Sequence, residues 1–149
     1  MVGKHKINII DEPFVQKSVR KYLLNNGWKL TNLPKSVGEH GKDITAWHSK
    51  KRKVLIIEAK GEVKSSKDQQ KHNAFINVLG EILFRMDKEG NSPKRARIYA
   101  IAIPVTWENT YKKKIVKMEY GWHLLKLKVF LVEKDGSVRL TNYRYWLKS

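Results

Sequence analysis

The chain has 149 residues and is 41% hydrophobic, which suits one domain over residues 1–149 with a real apolar core. It has no cysteine and no apolar run approaching the roughly 20 residues of a membrane-spanning helix, which excludes a disulfide framework, a thiolate metal site and a bilayer span. Its 31 Lys and Arg against 14 Asp and Glu give a formal charge of +17, which favours a polyanionic partner, nucleic acid above all.

The first predicted element is a helix over residues 11–26. Asp11 is a suitable N-cap, Pro13 is tolerated in the first turn, and Gly27 follows the end of the helix. Apolar residues recur at helical spacing, which predicts a buried face formed by Val15, Val19, Tyr22 and Leu23.

Hydrophobic runs and turn signals divide the rest of the chain into further strands and helices. In chain order these are a short strand at 28–33, hairpin strands at 44–48 and 54–60, a helix at 68–86, a strand at 97–103, a helix at 107–118, and strands at 124–132 and 138–146. The helix at 68–86 has a predicted apolar face of Phe75, Val78, Leu79, Ile82, Leu83 and Met86. This order predicts an α/β fold with a mixed central sheet flanked by helices.

The strand at 54–60 ends in an unusual pair of charges, Glu58 and Lys60. Because side chains alternate along a strand, these two residues share one face. Both faces of this strand are otherwise apolar, which is typical of a central strand. A charge on a buried strand is costly unless it is paired or bound to a metal.

The hairpin brings Asp43 towards the same place. A four-residue turn places Asp43 opposite Glu58 or opposite Lys60, on their face of the sheet. An odd-numbered turn places it on the other face unless a bulge corrects the register. We predict the four-residue turn.

Two chemical interpretations fit these three residues. Close carboxylates repel each other, and a hard divalent cation such as Mg²⁺ relieves both the repulsion and the cost of burial. A lysine beside that cation can orient a water and stabilise charge on a phosphate. A buried ion pair of Lys60 with Glu58 or Asp43 is equally consistent with the residue types.

The residues GKDI and, after an apolar strand, EAKG resemble the signature of the PD-(D/E)xK nuclease superfamily. That group includes restriction endonucleases, archaeal Holliday-junction resolvases and RecB-type repair nucleases. Its restriction endonuclease-like core is a helix, a strand hairpin and a third strand, then a helix and a further strand, which matches the predicted order over residues 11–104. Lys42 stands where the name-giving proline would be.

The resemblance implies a role for each residue of the motif. In that superfamily the aspartate and the E-x-K glutamate bind the metal and the lysine assists the water, which implies Asp43, Glu58 and Lys60 here. Many members add a glutamate near the start of the first helix, which implies Glu12 as a further catalytic and metal-binding residue. The implied cofactor is Mg²⁺, with Mn²⁺ as an alternative.

The position of Glu12 on the first helix agrees with this role. At about 100° per residue, Glu12 falls on the face of Val15, Val19 and Leu23, so its side chain is predicted to point inward. A carboxylate favoured by the helix N-terminus is the alternative, but it applies equally to Asp11 and does not explain the inward direction.

Some relatives in the superfamily carry a glutamine at the start of the helix after E-x-K, and this chain has Gln69 and Gln70 there. Gln69 lies nearer the apolar face of the helix and is the preferred catalytic candidate. A solvated pair is the alternative.

Basic residues around the motif are predicted to contact phosphates, which would position a nucleic-acid backbone without reading its sequence. The set is Lys42, Lys50, Lys51, Arg52, Lys53, Lys64 and Lys67.

The predicted function is that of a Mg²⁺-dependent DNA endonuclease in restriction, repair or defence, with RNA left open as a substrate. The alternative is a catalytically inactive, basic nucleic-acid-binding module on the same fold; a basic scaffold without metal is a third. No membrane partner is expected. Cutting both strands often uses two copies, which favours a homodimer, and the lack of a signal-peptide pattern favours a cytoplasmic location.

Overall fold

The structure is a computed structural model that describes residues 9–32, 43–64, 68–89 and 96–148, without the side chains of 68–70 and 87–89. In chain order the elements are α1 (Glu12–Asn25), β1 (Lys29–Leu30), β2 (Ile44–His48), β3 (Lys53–Ala59), α2 (Asp68–Glu89), β4 (Ala96–Pro104), α3 (Glu108–Ile115), α4 (Glu119–Leu125), β5 (Lys128–Val132) and β6 (Val138–Thr141). Short 3₁₀ helices lie at Val105–Trp107, Val116–Met118 and Tyr143–Leu147. None of the helices in these ranges is long and apolar enough to cross a membrane.

The strands form one mixed sheet in the order β1-β2-β3-β4-β5-β6. Strands β1, β2 and β3 pair antiparallel, β3, β4 and β5 pair parallel, and β6 returns antiparallel to β5. Parallel neighbours need a crossover, and α2 provides it between β3 and β4. The predicted α/β fold with a mixed central sheet and flanking helices is confirmed.

Helices cover both faces of the sheet. On one face α1 packs Val15, Val19 and Leu23 against the strands. On the other face α2, α3 and α4 pack against side chains that include Ile101 and Ile103 of β4. Because Glu58 pairs with Ile101 in register, its side chain faces α2.

The start and end of α1 agree with the sequence signals. The Asp11 carboxylate accepts a hydrogen bond from the Phe14 amide at 3.0 Å, as an N-cap does. Gly27 follows the helix with a φ of 86°, a conformation that favours glycine. Tyr22 is half-buried, whereas the other three predicted apolar residues of α1 are buried.

The prediction of the apolar face of α2 is wrong for one residue. Phe75, Val78, Leu79 and Ile82 are buried and Met86 is half-buried, but Leu83 is 51% exposed. The packed side of α2 covers only part of its circumference, and Leu83 lies beyond that side together with the exposed Phe84.

The predicted strand at 124–132 is wrong over its first part. Residues 119–125 form α4, and β5 begins only at Lys128. Trp122 is fully buried in the core on the face of the sheet that α2 covers, and Lys126 ends the helix with a φ of 51°. Burial of this tryptophan outweighs the strand pattern of the local sequence. The predicted helix at 107–118 is confirmed as α3 with a 3₁₀ helix at each end.

The predicted strand at 138–146 stops early. Strand β6 ends at Thr141, and the Asn142 side chain accepts a hydrogen bond from the Tyr145 amide at 3.1 Å, which caps a 3₁₀ helix. Trp146 is buried, and its indole N–H donates to the Thr141 hydroxyl at 2.8 Å. Asparagine competes with strand pairing by bonding its own neighbours, which turns the chain here.

Candidate active site

Asp43 precedes β2 and lies across the hairpin from Glu58. The turn has the predicted four residues, 49–52, and Ile44 pairs with Ile57. Asp43 is therefore the next position outward, opposite Glu58 and on the same face of the sheet. The predicted four-residue turn and shared face are confirmed, and of the two possible registers the one with Asp43 opposite Glu58 forms.

Hydrogen bonds to its side chain and backbone hold Asp43 in place. Its carboxylate accepts from the Ala59 amide at 2.7 Å. Its carbonyl accepts from the buried Arg20 guanidinium at 2.9 Å and from the Asn32 side chain at 3.3 Å. Burial lowers the pKa of Arg20, and the Asp43 charge opposes that shift. Asp43 is thus fixed both by its strand partner and by α1.

Glu58 is a fully buried carboxylate, with 0% of the residue exposed. One oxygen, Oε1, accepts from Arg85 Nε at 3.0 Å. The other, Oε2, has no hydrogen-bond partner among the described residues. Burial first, then the neighbouring Asp43 charge and Glu81, raise the pKa of Glu58 to about 8.

A third carboxylate, that of Glu81 on α2, completes a group with Asp43 and Glu58. One oxygen from each of the three residues lies within 4.8 Å of the others. Three carboxylates this close suit a hard divalent cation, which takes oxygen ligands. The unpartnered Glu58 oxygen fits such an ion as well, because a buried acceptor without a partner is costly.

Lys60 and Glu58 are each paired with a residue of α2. Lys60 Nζ lies 3.0 Å from Glu81 Oε1, and Arg85 pairs with Glu58. Burial acts to lower the pKa of Lys60, but the hydrogen bond and charge of Glu81, with Glu12 and Asp43, outweigh it and raise that pKa. The ion-pair alternative named Glu58 or Asp43 as the partner of Lys60; the ion pair that forms is with Glu81 instead.

Sequence reasoning missed Glu81, Arg85 and Arg20. Glu81 and Arg85 are four residues apart, so they lie on the same side of α2, beside the buried Ile82. Charges that border an apolar helix face were the available signal, whereas the prediction for α2 rests on its apolar residues and on Gln69 and Gln70. Arg20 carried a similar signal, because it directly follows the buried Val19.

Glu12 lies near the three carboxylates, in the first turn of α1. Burial first, then the Asp43 charge, raise the pKa of Glu12, while Lys60 lowers it. Its carboxylate accepts from Gln16 at 3.2 Å, and its side chain is only partly buried. Glu12 does not belong to the group of oxygens within 4.8 Å, so its metal-binding role stays a prediction.

Gly61 allows this approach of α1 to the end of β3. A Cβ atom on Gly61 would lie 2.1 Å from the Glu12 backbone nitrogen, so no larger residue fits without movement. The next residue, Glu62, accepts from the Ile10 amide at 2.8 Å and from the Thr106 hydroxyl at 2.7 Å. The glycine of EAKG therefore brings Glu12 towards Lys60.

The predicted phosphate-contacting residues do not all gather at this site. Lys50, Lys51, Arg52 and Lys53 are exposed at the turn end of the hairpin. Lys53 lies five residues from Glu58 along β3, or about 17 Å. Lys64 is exposed just beyond the motif. Lys42 and Lys67 lie outside the described residues.

Gln69 and Gln70 belong to the first turn of α2, but their side chains lie outside the described part of the structure. The choice between them stays a prediction.

Two solved structures are similar to this chain in fold. No protein-family model and no curated protein matches this sequence. An fdxN element excision controlling factor protein from Anabaena variabilis is 17% identical, with a TM-score of 0.55 over 88% of this chain and 98% of the other. An XisH family protein from Nostoc punctiforme is 19% identical, with a TM-score of 0.53 over 85% and 96%. At these identities, the likeness is one of fold.

Proposed function

We propose that this protein is a metal-dependent DNA endonuclease of the PD-(D/E)xK type. The observation that carries the proposal is the group of Asp43, Glu58 and Glu81 at the end of β3, with Lys60 beside it. A binding module has no need to bury a carboxylate that lacks a partner for one of its oxygens. The +17 charge of the chain also suits a phosphate-rich substrate.

Asp43, Glu58 and Glu81 would hold Mg²⁺ or Mn²⁺, with Glu12 as a further candidate. A bound ion would supply Lewis-acid stabilisation of the charge that develops on a phosphate. Asp43 would be held for this role by the Ala59 amide, and Glu58 by its strand.

Lys60 would stabilise negative charge at the reacting phosphate and orient the attacking water. Hydrolysis forms a bond from the water oxygen to phosphorus and breaks one P–O ester bond, and the leaving oxygen takes up a proton. The Lys60 side chain is 24% exposed in its pair with Glu81, so both its charge and its access to substrate support this role.

The alternative, a nucleic-acid-binding module without turnover, is favoured by one specific observation. Arg85 already neutralises Glu58, and Glu81 already neutralises Lys60. A site whose charges are paired internally does not require a metal for stability.

A cleavage assay separates the two functions. Supercoiled, linear and branched DNA are incubated with the protein and Mg²⁺, Mn²⁺ or EDTA, beside Glu58→Gln and Lys60→Ala. The control is Glu119→Gln, an exposed carboxylate on α4. Metal-dependent cleavage by the wild type and the control, lost in both site variants, supports the nuclease. Binding of DNA without cleavage of any substrate would instead establish the module.

A further inference from the structure

A second basic surface lies near the C-terminus of the chain, outside the segment that resembles the nuclease superfamily. It consists of Tyr143 and Tyr145 with Lys112, Lys126, Arg139 and Arg144, and we call it the tyrosine–basic surface. Lys126 Nζ lies 5.4 Å and Arg144 Cζ lies 5.0 Å from the ring centre of Tyr143. Cations at these distances are attracted to the face of an aromatic ring.

The second ring, Tyr145, has a similar arrangement. Lys112 Nζ lies 4.3 Å and Arg139 Cζ lies 5.7 Å from its centre. Glu108 pairs with Arg139 at 3.1 Å and with Lys112 at 3.9 Å, and its carboxylate accepts from the Tyr145 hydroxyl. The ring and the carboxylate together restrain both cations.

The tyrosine–basic surface has more positive charge than its own carboxylate can balance. In the ranges that the structure describes, Glu108 is the acid that pairs with it, and neither Lys126 nor Arg144 takes part in an ion pair. Lys126 and Arg144 are both exposed although they flank the same ring. Like charges held close together are unfavourable in the free protein and favourable beside a polyanion.

The sheet relates this surface to the candidate active site. The Lys60 amide donates to the Ala102 carbonyl, which continues the pairing of β3 with β4 and places Lys60 opposite Ile103. Ile103 pairs with Leu131, and Leu131 pairs with Arg139. Lys60 and Arg139 therefore lie in one row across the sheet, three strand spacings or about 14 Å apart.

We propose that the tyrosine–basic surface binds the phosphate backbone of duplex DNA beside the site at Asp43 and Glu58. The separation of about 14 Å between Lys60 and Arg139 corresponds to about four base pairs along the duplex axis. The residues around Tyr143 lie further along the strands, because Lys126 precedes β5 whereas Leu131 is near its end. The rings restrain the cations before binding, so less side-chain freedom is lost when phosphates are contacted. The inference rests on the proposed function in one respect only: that function places the phosphodiester bond to be cleaved at the carboxylates of the candidate site.

The test measures the salt dependence of binding to a DNA duplex in EDTA, where no metal-dependent cleavage occurs. The test protein is a double variant that carries both Lys126→Gln and Arg144→Gln. Its matched control is Lys17→Gln with Lys21→Gln, which removes two exposed charges from α1 on the opposite side of the sheet. Each lost phosphate contact reduces the steepness of log affinity against log salt by about 0.9. The slope of the test variant should therefore become shallower by about 1.8, and that of the control by much less.

Equal loss of slope in the two double variants, or no loss in either, would overturn the inference. Failure of the wild type to bind the duplex, or tighter binding to anionic vesicles than to DNA, would overturn it too. The expected slopes without cleavage under any metal would leave this surface assigned and remove the nuclease function. Metal-dependent cleavage together with equal slope losses in the two double variants would support the nuclease function and remove the assignment of this surface.

Discussion

The buried carboxylate of Glu58 is the residue on which the candidate site depends. It is close to Asp43 and Glu81, and Arg85 is the cation that compensates it. A divalent metal at the carboxylates would compensate the same charge. Arg85 and a metal ion are therefore expected to compete for Glu58.

Replacement of Arg85 by glutamine tests this competition. Removing one partner of a buried ion pair costs about 3–5 kcal/mol, so above pH 8, where Glu58 is ionised, Arg85→Gln should lower the free energy of unfolding by up to that amount without metal. Mg²⁺ should then raise the unfolding temperature of Arg85→Gln more than that of the wild type. Thermal unfolding with Mg²⁺ and with EDTA measures both effects. Arg85→Lys, which keeps the charge, is the control; equal responses to Mg²⁺ in all three proteins would contradict competition.

The raised pKa of Glu58 makes stability depend on pH. The folded pKa of about 8 lies above the ordinary glutamate pKa of 4.5, so between these pH values the folded state binds a proton that the unfolded state has released. The free energy of unfolding should therefore fall as pH rises from 4.5 to 8, by at most about 1.4 kcal/mol per pH unit. Denaturant unfolding at intervals from pH 5 to 9 measures this slope.

Glu58→Gln is the matched variant for the pH experiment, since it keeps the shape and removes the titration. It should flatten the fall in stability above pH 5. A wild-type profile with the same slope as Glu58→Gln would show that Glu58 does not titrate in this range. Mg²⁺ binding should strengthen as pH rises through 8, because the ion displaces the proton.

At the scale of the elements, two glycines play opposite roles. Gly61 lies where β3 meets the start of α1, with no room for a Cβ, whereas a Cβ on Gly80 of α2 would meet no atom within 4 Å. One glycine is required by packing, and the other only weakens a helix.

Alanine substitution should separate these roles. Gly61→Ala should destabilise the protein by about 1–3 kcal/mol, as overpacking does, and shift Glu12 away from Lys60. Gly80→Ala should stabilise it by about 0.5–1 kcal/mol. Urea unfolding of the two variants gives both values. Each serves as the control for the other, and a change of the same sign in both would contradict the packing at Gly61.

At the scale of the whole molecule, the charge of +17 should dominate the response to salt. If 6–10 phosphates are contacted, raising salt from 50 to 200 mM should weaken DNA binding by about 10³–10⁵. Fluorescence anisotropy with a labelled duplex in EDTA measures this. Glu58→Gln should give the same slope, since Glu58 is fully buried and cannot reach a phosphate. Binding that is insensitive to salt would contradict a phosphate-dominated interface.

The order of the helices and strands follows from local patterns in the chain. Period-two runs, the Asp11 cap and the buried face of α1 are properties of short segments, and so the α/β fold could be predicted. The C-terminal part could not, because Trp122 and Trp146 enter a core formed by distant residues. That burial turned predicted strand into α4 and a 3₁₀ helix.

The sequence by itself determined that Glu58 and Lys60 share one face, because side chains alternate along a strand, and it predicted the four-residue turn that places Asp43 on that face. Only the tertiary structure decided which residues of α2 meet them. Glu81 and Arg85 reach the site because of how α2 lies on the sheet, which depends on packing summed over many distant contacts. Glu12 likewise comes near because Gly61 leaves room for the backbone of α1.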